Sequence, residues 1–99
     1  PVINIGRHSD NDLVLSDPHV SRYHVQLRAI NKRFVIFDLG SIGGTLINGN
    51  RVTQATLFNG DVIRLGMINL IFVQTNSSTS QTTTISTDDD PAYSEGLSQ

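Results

Sequence analysis

The sequence predicts an all-β protein of short strands, arranged as an antiparallel sandwich or barrel. Two observations carry this prediction. Apolar residues occur in short runs rich in Val, Ile and Phe, and no run keeps the 3.6-residue period of a helix over ten residues. Residues typical of turns separate these runs at intervals of about eight to twelve residues, which is the spacing found in sandwiches and barrels.

The predicted strands follow one another along the first 74 residues. In chain order they are centred on the apolar segments 2–5, 13–15, 25–30, 34–37, 46–47, 62–65 and 70–73. The separators have specific turn chemistry. Asn48-Gly49 predicts a type I′ hairpin, because both central residues of that turn need positive φ. The other turns are marked by segments 31–33 and 59–61 and by the glycine at position 66.

The composition of the 99-residue chain changes near residue 74. Residues 1–74 hold seven basic and five acidic residues, a net charge of +2, whereas residues 75–99 hold no basic and four acidic residues, a net charge of −4. Twelve of the last 25 residues are Ser or Thr. Such a segment buries too little apolar surface to offset its ordering entropy. We therefore predict a folded domain over 1–74 and, over 75–99, a Ser/Thr-rich acidic tail that is disordered or ordered only against a partner.

Several function classes are excluded or disfavoured by composition. The chain has no Cys, so a disulfide framework, a cysteine-ligated zinc and a cysteine nucleophile are excluded. No apolar run is long enough to span a membrane. His8 and His19 lack metal-ligand spacing, and no metal or cofactor is expected. A body charge of only +2 argues against nucleic-acid binding. The first seven residues show no signal-peptide pattern, and we expect a cytoplasmic location.

Six motifs occur in order between residues 3 and 73. They are Gly6-Arg7, Asn11-Asp12-Leu13-Val14-Leu15, Ser21-x-x-His24, Asp38-x-x-Ser41-x-Gly43-Gly44-Thr45, Asn48-Gly49 and Gly60-Asp61-x-Ile63-x-x-Gly66. In this order and spacing they resemble the forkhead-associated (FHA) domain, a module that reads phosphothreonine. The resemblance implies an antiparallel β-sandwich of eleven strands. We expect about ten of them here, because the first strand is missing from this chain or is supplied by another segment.

The resemblance also implies a phosphate site. Arg7 and Ser21 would hold the phosphate and Arg22 would assist. These residue types suit a phosphate, which carries about two negative charges and is best met by an arginine fork and by hydroxyl groups. Ile42 is a candidate to line a pocket for the threonine methyl group. The alternatives are ordinary surface charge for the arginines, a turn hydroxyl for Ser21 and loop packing for Ile42.

One position departs from the family pattern. Where the family has an Asn whose side chain clamps the backbone of the bound peptide, this chain has Gly43. An alternative function is therefore a degenerate FHA scaffold that binds partners without phosphate. The resemblance assigns structural roles to four further positions of the family pattern, which are Gly6, His24, Gly44 and Thr45.

Catalysis is a weaker interpretation of the same residues. Ser21, His24 and Asp38 supply the residue types of a hydrolase triad. An offset of three along a strand would, however, place Ser21 and His24 on opposite faces. The sequence also has no nucleophile elbow. We predict that the protein is not an enzyme, and that His24 braces neighbouring loops as the resemblance implies.

The predicted partner is a protein or peptide that bears phosphothreonine. The tail of the same chain is one candidate, because Thr82 has Ile85 three residues on and Thr87 has Asp90 three residues on. FHA domains resemble one another in reading that third residue. The alternative is that the tail is a plain solubilising linker. The sequence leaves the oligomeric state open.

Overall fold

The structure, a computed structural model, describes residues 1–75 and the backbone of residues 83–87. The described residues form ten β-strands and no helix. The strands are β1 Val2–Gly6, β2 Leu13–Val14, β3 Val25–Ile30, β4 Arg33–Asp38, β5 Thr45–Ile47, β6 Asn50–Val52, β7 Gln54–Thr56, β8 Val62–Leu65, β9 Ile68–Gln74 and β10 Thr83–Thr87. The all-β prediction is confirmed. Within these described residues no helix is long and apolar enough to cross a membrane.

The strands form two five-stranded sheets that enclose the core. One sheet has the order β2-β1-β3-β4-β7 and the other has the order β10-β9-β8-β5-β6. Every pairing is antiparallel except that of β1 with β2, which is parallel and joins only two residue pairs. The pair is short because the chain leaves β1 through a loop of six residues and then runs briefly alongside it.

The core consists of the inward side chains of both sheets. Along β3, Val25 and Leu27 are fully buried while the residues between and after them are more exposed, as expected for a strand with one face covered. Phe34 and Phe72 meet edge to face between the two sheets, with ring centroids 5.9 Å apart. The two sheets thus share one core, and the connecting loops project from the ends of the sandwich.

The hairpin turns explain the positive φ angles. Asn48 and Gly49 have φ of 51° and 84°, which confirms the predicted turn between β5 and β6. Asn31 and Lys32 also have positive φ, so the turn between β3 and β4 uses two residues and Arg33 already belongs to β4. The sequence did not predict β6 and β7, because three-residue strands of mostly polar residues leave no apolar run.

Five residues of the predicted tail form a strand. Thr83–Thr87 form β10, which pairs antiparallel with Leu70–Gln74 of β9. A strand added to a sheet edge is held by backbone hydrogen bonds, so it does not need the large apolar side chains whose scarcity suggested disorder. The rest of the predicted tail, residues 76–82 and 88–99, lies outside the described residues. Among the described residues no strand precedes β1, which leads directly into Gly6 and Arg7.

Candidate functional site

Loops from both sheets meet at one end of the sandwich and form a groove of about 400 Å³. Three of these loops are the first loop (residues 7–12), the second loop (residues 15–24) and the third loop (residues 39–44), and the fourth contributor is the turn between β8 and β9. The groove is lined by Arg7, Pro18, His19, Val20, Ser21, Ile42, Gly43, Gly66 and Met67. Four of the five residues predicted to bind a phosphopeptide therefore lie together.

Arg7 is held against the second loop by its backbone and by its side chain. Its N–H donates to the carbonyl of Ser21 at 3.0 Å, and its Nε donates to the carbonyl of Val20 at 3.0 Å. The two terminal nitrogens of the guanidinium donate to no other described residue. The side chain is exposed, so its outer edge is free to donate two parallel hydrogen bonds to an anion.

Ser21 joins the second loop to the third. Its Oγ accepts a hydrogen bond from the N–H of Ile42 at 3.1 Å. Because the oxygen acts as an acceptor in this contact, the hydroxyl proton remains available for a ligand. Ser21 thus offers a donor beside Arg7, in a groove that has no acidic side chain among its lining residues.

His24 is fully buried and hydrogen-bonds two loops at once. The N–H of Ser21 donates to its Nδ1 at 3.1 Å, and its Nε2 lies 2.8 Å from the carbonyl oxygen of Gly44. A nitrogen that accepts carries no proton, so this geometry assigns the ring proton to Nε2, which donates to Gly44. The ring therefore holds the second loop against the third.

The same contacts remove the possibility of a Ser–His pair. The Ser21 hydroxyl contacts the amide of Ile42, whereas both ring nitrogens of His24 face backbone groups. The expectation that these two residues lie on a strand is wrong, since β3 begins at Val25. The chain bends here because backbone carbonyls of Ser21 and Arg22 accept hydrogen bonds from the first loop.

Asp38, the last residue of β4, organises the third loop. One carboxylate oxygen accepts the N–H groups of Gly40 and Ser41, both at 2.8 Å. The other accepts the hydroxyl groups of Ser41 at 2.5 Å and of Thr45 at 2.6 Å. Ser41 Oγ in turn accepts the N–H of Gly44. These bonds fix the loop that carries Ile42 and Gly43.

The backbone conformation requires a glycine at position 44 but not at position 43. Gly44 has a φ of 84°, a conformation that side chains disfavour, so its glycine is required by the turn. Gly43 has no positive φ, and a Cβ atom there would lie 3.5 Å from the carbonyl oxygen of His19, an ordinary contact. The position can therefore accept a side chain. Ile42, which is 95% exposed, stands beside it at the rim of the groove.

Comparison with known proteins places this fold and this loop arrangement in a family. The family model of the FHA domain matches residues 3–66, about two thirds of the chain. The chain belongs to the FHA family.

Relatives and solved structures agree with this assignment. Over 72 residues the chain is 40% identical to the glycogen accumulation regulator GarA of Mycobacterium tuberculosis, covering 73% of this chain and 44% of GarA. It resembles a domain solved in a study of phosphothreonine-dependent FHA interactions, with 38% identity, a TM-score of 0.69 and coverage of 71% and 73% of the two chains. The FhaA FHA domain, solved with the intracellular domain of Rv3910, gives 38% identity, a TM-score of 0.69 and coverage of 71% and 77%.

Arg22 is the predicted contact residue that this FHA domain does not place in the groove. Its side chain is exposed, and it is not among the groove-lining residues. Its backbone carbonyl accepts the N–H of His8 and the amide of Asn11. Gly6 packs against this same carbonyl: a Cβ atom at position 6 would lie 2.2 Å from it. The glycine is therefore needed for the close approach of the first and second loops.

Asp17 is a supporting residue of the FHA groove that the sequence did not reveal. Its carboxylate accepts the N–H of His19 at 2.8 Å and the N–H of Met67 at 2.9 Å, and it contacts the His19 ring at 3.0 Å. These bonds tie the second loop to the turn between β8 and β9. The hydrogen bond from the backbone of His19 is the largest cause of the lowered pKa of Asp17, and burial only partly opposes it.

The pKa of Asp38 is also lowered. Burial of its carboxylate opposes ionisation, but the hydrogen bonds from Ser41, Thr45 and Gly40 outweigh that cost and favour the charged form. The sequence offered a signal for this role, since an aspartate in a turn often accepts the backbone N–H two residues on, as Asp38 does from Gly40.

The FHA domain is expected to lose stability as the pH falls below about 4. Asp38 and Asp17 have lower pKa values folded than unfolded, where an aspartate titrates near pH 3.9. Their contribution is therefore complete above the unfolded value and disappears as the pH drops through the folded values. Urea unfolding at pH 7, 4 and 2.5 measures this loss. Asp38→Asn should reduce the pH dependence, and an unchanged dependence in that variant would contradict the assignment.

Proposed function

We propose that this FHA domain is a non-catalytic module that binds phosphothreonine-containing proteins through the groove. One observation carries the proposal: Arg7 and Ser21 both line the same exposed groove, and each keeps a free donor there. A guanidinium fork beside a hydroxyl is a suitable receptor for a phosphate monoester. The chain spans 44% of the length of GarA, so the partners and activity of any longer protein are part of this proposal.

The expected affinity is micromolar. Each hydrogen bond to a charged phosphate contributes about 1.5–3 kcal/mol. Two or three such bonds, less the entropy lost on association, correspond to about −8 kcal/mol, or a micromolar Kd. Binding of this strength is reversible and suits a regulatory tether. GarA, to which the chain is similar, is named a regulator.

The groove also supplies a reason to prefer threonine to serine. Ile42 and Met67, which is 62% exposed, add apolar surface beside the phosphate contacts. Burying the additional methyl group of phosphothreonine is worth about 1 kcal/mol, or roughly fivefold in affinity. Recognition of a phosphopeptide by these contacts requires no catalytic step, and we assign none.

The test uses one peptide in three forms, with phosphothreonine, phosphoserine or plain threonine at the central position. Calorimetric titration should give micromolar binding of the first, several-fold weaker binding of the second and no measurable binding of the third. The absent side chain at Gly43 favours a second candidate, a phosphate-independent scaffold. Equal binding of the phosphothreonine and plain peptides would support that candidate and contradict the proposal.

Restoring the family's side chain should tighten binding. Position 43 has room for a Cβ and no positive φ, so Gly43→Asn is expected to fold normally and to add one hydrogen bond to the peptide backbone. Such a bond contributes about 0.5–1.5 kcal/mol, a gain of roughly two- to tenfold in affinity. Gly43→Ala is the matched control, since it makes the same backbone change without an amide. A gain by the alanine variant equal to that of Gly43→Asn would exclude the clamp.

The tail of the same chain is one proposed ligand. The antiparallel pairing sets Thr87 opposite Leu70, so β10 runs towards the turn between β8 and β9, whose Gly66 and Met67 line the groove. The opposite end of β10 begins at Thr83, and Thr82 precedes it outside the described residues. The register therefore favours phosphorylated Thr87 over Thr82 for binding within one chain, and a neighbouring copy for Thr82.

Chains phosphorylated at Thr87 or at Thr82 separate these cases. The NMR signals of Arg7 and Ser21 should shift in the Thr87 form without dependence on protein concentration, and in the Thr82 form only as concentration rises. Unchanged Arg7 and Ser21 signals in both forms would contradict binding of the tail and would mean that the tail is a linker. A kinase-dependent ligand also supports a cytoplasmic location, which we include in the proposal.

A further inference from the structure

A second cluster of cationic side chains lies at the end of the sandwich opposite the groove. Lys32 and Arg33, at the turn between β3 and β4, border a cleft of about 270 Å³ together with Leu57, Phe58, Asn59 and Gln74. We call this the far-end cleft. None of its lining residues is acidic, so its two positive charges are not neutralised by a lining carboxylate.

The cleft is held in shape by contacts among its own residues. The Arg33 guanidinium stacks on the ring of Phe58, 5.0 Å from the centroid. An arginine stacked in this way still presents its N–H groups in the plane of the guanidinium. Asn59 Oδ1 accepts the N–H of Gln74 at 2.6 Å, which fixes the end of β9 against this wall. Lys32 is exposed at a turn position with a φ of 65°.

The chain itself carries candidate phosphate groups to this place. Gln74 and Thr83 are Cα partners in the β9–β10 pair, so both ends of the eight-residue connection between them lie beside the cleft residue Gln74. Eight residues that return to their starting point cannot reach further than about 13 Å, at roughly 3.3 Å per residue. Residues 76–82 include five Ser or Thr residues and no charged residue.

We propose that the far-end cleft binds a phosphoserine or phosphothreonine carried by residues 77–80 of the same chain. Lys32 and Arg33 would receive the phosphate, whose charge of about −1.5 to −2 matches the two cations. Without phosphate the segment has no charge to offer them, so binding depends on modification. Because the short connection makes the encounter intramolecular, the effective concentration is in the millimolar range, and contacts too weak for binding between separate chains are occupied. The bound phosphate would fasten β10 to the edge of β9.

The experiment uses the full chain with phosphoserine encoded at Ser78 and Ser80. We expect the NMR signals of the Lys32 and Arg33 side chains to shift, and hydrogen exchange of the β10 amides to slow at least about tenfold. Lys32→Gln combined with Arg33→Gln should abolish both effects. Arg28→Gln, which removes an exposed arginine of β3 outside the cleft, is the matched control and should preserve them.

Arg7→Ala separates this inference from the proposed function, because it disables the groove and leaves the far-end cleft intact. The effects at Lys32 and Arg33 should persist in that variant and should not depend on protein concentration. Phosphorylated chains whose Lys32 and Arg33 signals do not move would overturn the inference. Slowed exchange that survives the double substitution, or shifts found instead at Arg7 and Ser21, would do the same.

Discussion

Replacing Arg7 with alanine is expected to weaken phosphothreonine-peptide binding by about 100-fold or more. The variant loses the fork that meets the phosphate, and two hydrogen bonds to a charged group together contribute about 3 kcal/mol or more. Arg7→Lys should not restore the loss, because a lysine offers a single point of charge where the guanidinium offers two parallel donors. Isothermal titration with one phosphopeptide measures both variants.

Arg22→Ala is the matched control for this prediction. It removes the same charge from the adjacent loop, but the Arg22 side chain does not line the groove. Its effect should be a modest loss that diminishes with added salt, as expected for a screened surface charge. Arg7→Ala also removes the bond from Nε to Val20, so urea unfolding must show a folded variant. Equal losses for Arg7→Ala and Arg22→Ala would mean that general charge, and not the fork, drives binding.

Replacing His24 with alanine is expected to lower the free energy of unfolding by about 3–4 kcal/mol. The change leaves a cavity in a fully buried place and removes the hydrogen-bond partners of the Ser21 N–H and the Gly44 carbonyl. Buried backbone groups left unpaired each cost about 1–3 kcal/mol. For a domain of this size that loss is a large share of the total stability. Urea unfolding monitored by circular dichroism measures it.

His19→Ala provides the comparison for His24. His19 lies in the same loop, but its side chain is 68% exposed, so its replacement should cost no more than about 0.5 kcal/mol. The His24 variant should also bind phosphopeptide poorly at temperatures where it is still folded, because the second and third loops lose their common brace. Normal affinity in a folded His24→Ala variant would show that the loops keep their arrangement without the ring.

The sequence was most informative where local chemistry decides the structure. Alternating apolar residues predicted β3, and the need for positive φ predicted the turn at Asn48 and Gly49. It was less informative where a partner distant in the chain decides. Asp17 is important because its carboxylate accepts the N–H of Met67, fifty residues later in the chain. The residues next to Asp17 in the sequence do not indicate that contact. β10 likewise pairs with the edge of β9, a partner that its own sequence does not identify.

The candidate site shows the same division. The motif order brought Arg7, Ser21, Ile42 and Gly43 together as expected, but it could not tell which way the neighbouring Arg22 would point. The backbone carbonyls of Ser21 and Arg22 both accept bonds from the first loop, and the Ser21 hydroxyl also accepts a bond from the third loop. These contacts form only in the folded state, so the motif spacing does not reveal them.

The bonds that hold the groove together use main-chain atoms at several of its rim positions. Ile42 and Met67 each contribute an N–H, to Ser21 and to Asp17, while their side chains extend into solvent. Any residue except proline can supply that N–H. Randomising these two positions should therefore yield a family of readers that share one anchor for the anion and differ in the sequence context they select. The peptide specificity of such a domain can therefore change during evolution while its phosphate contacts stay the same.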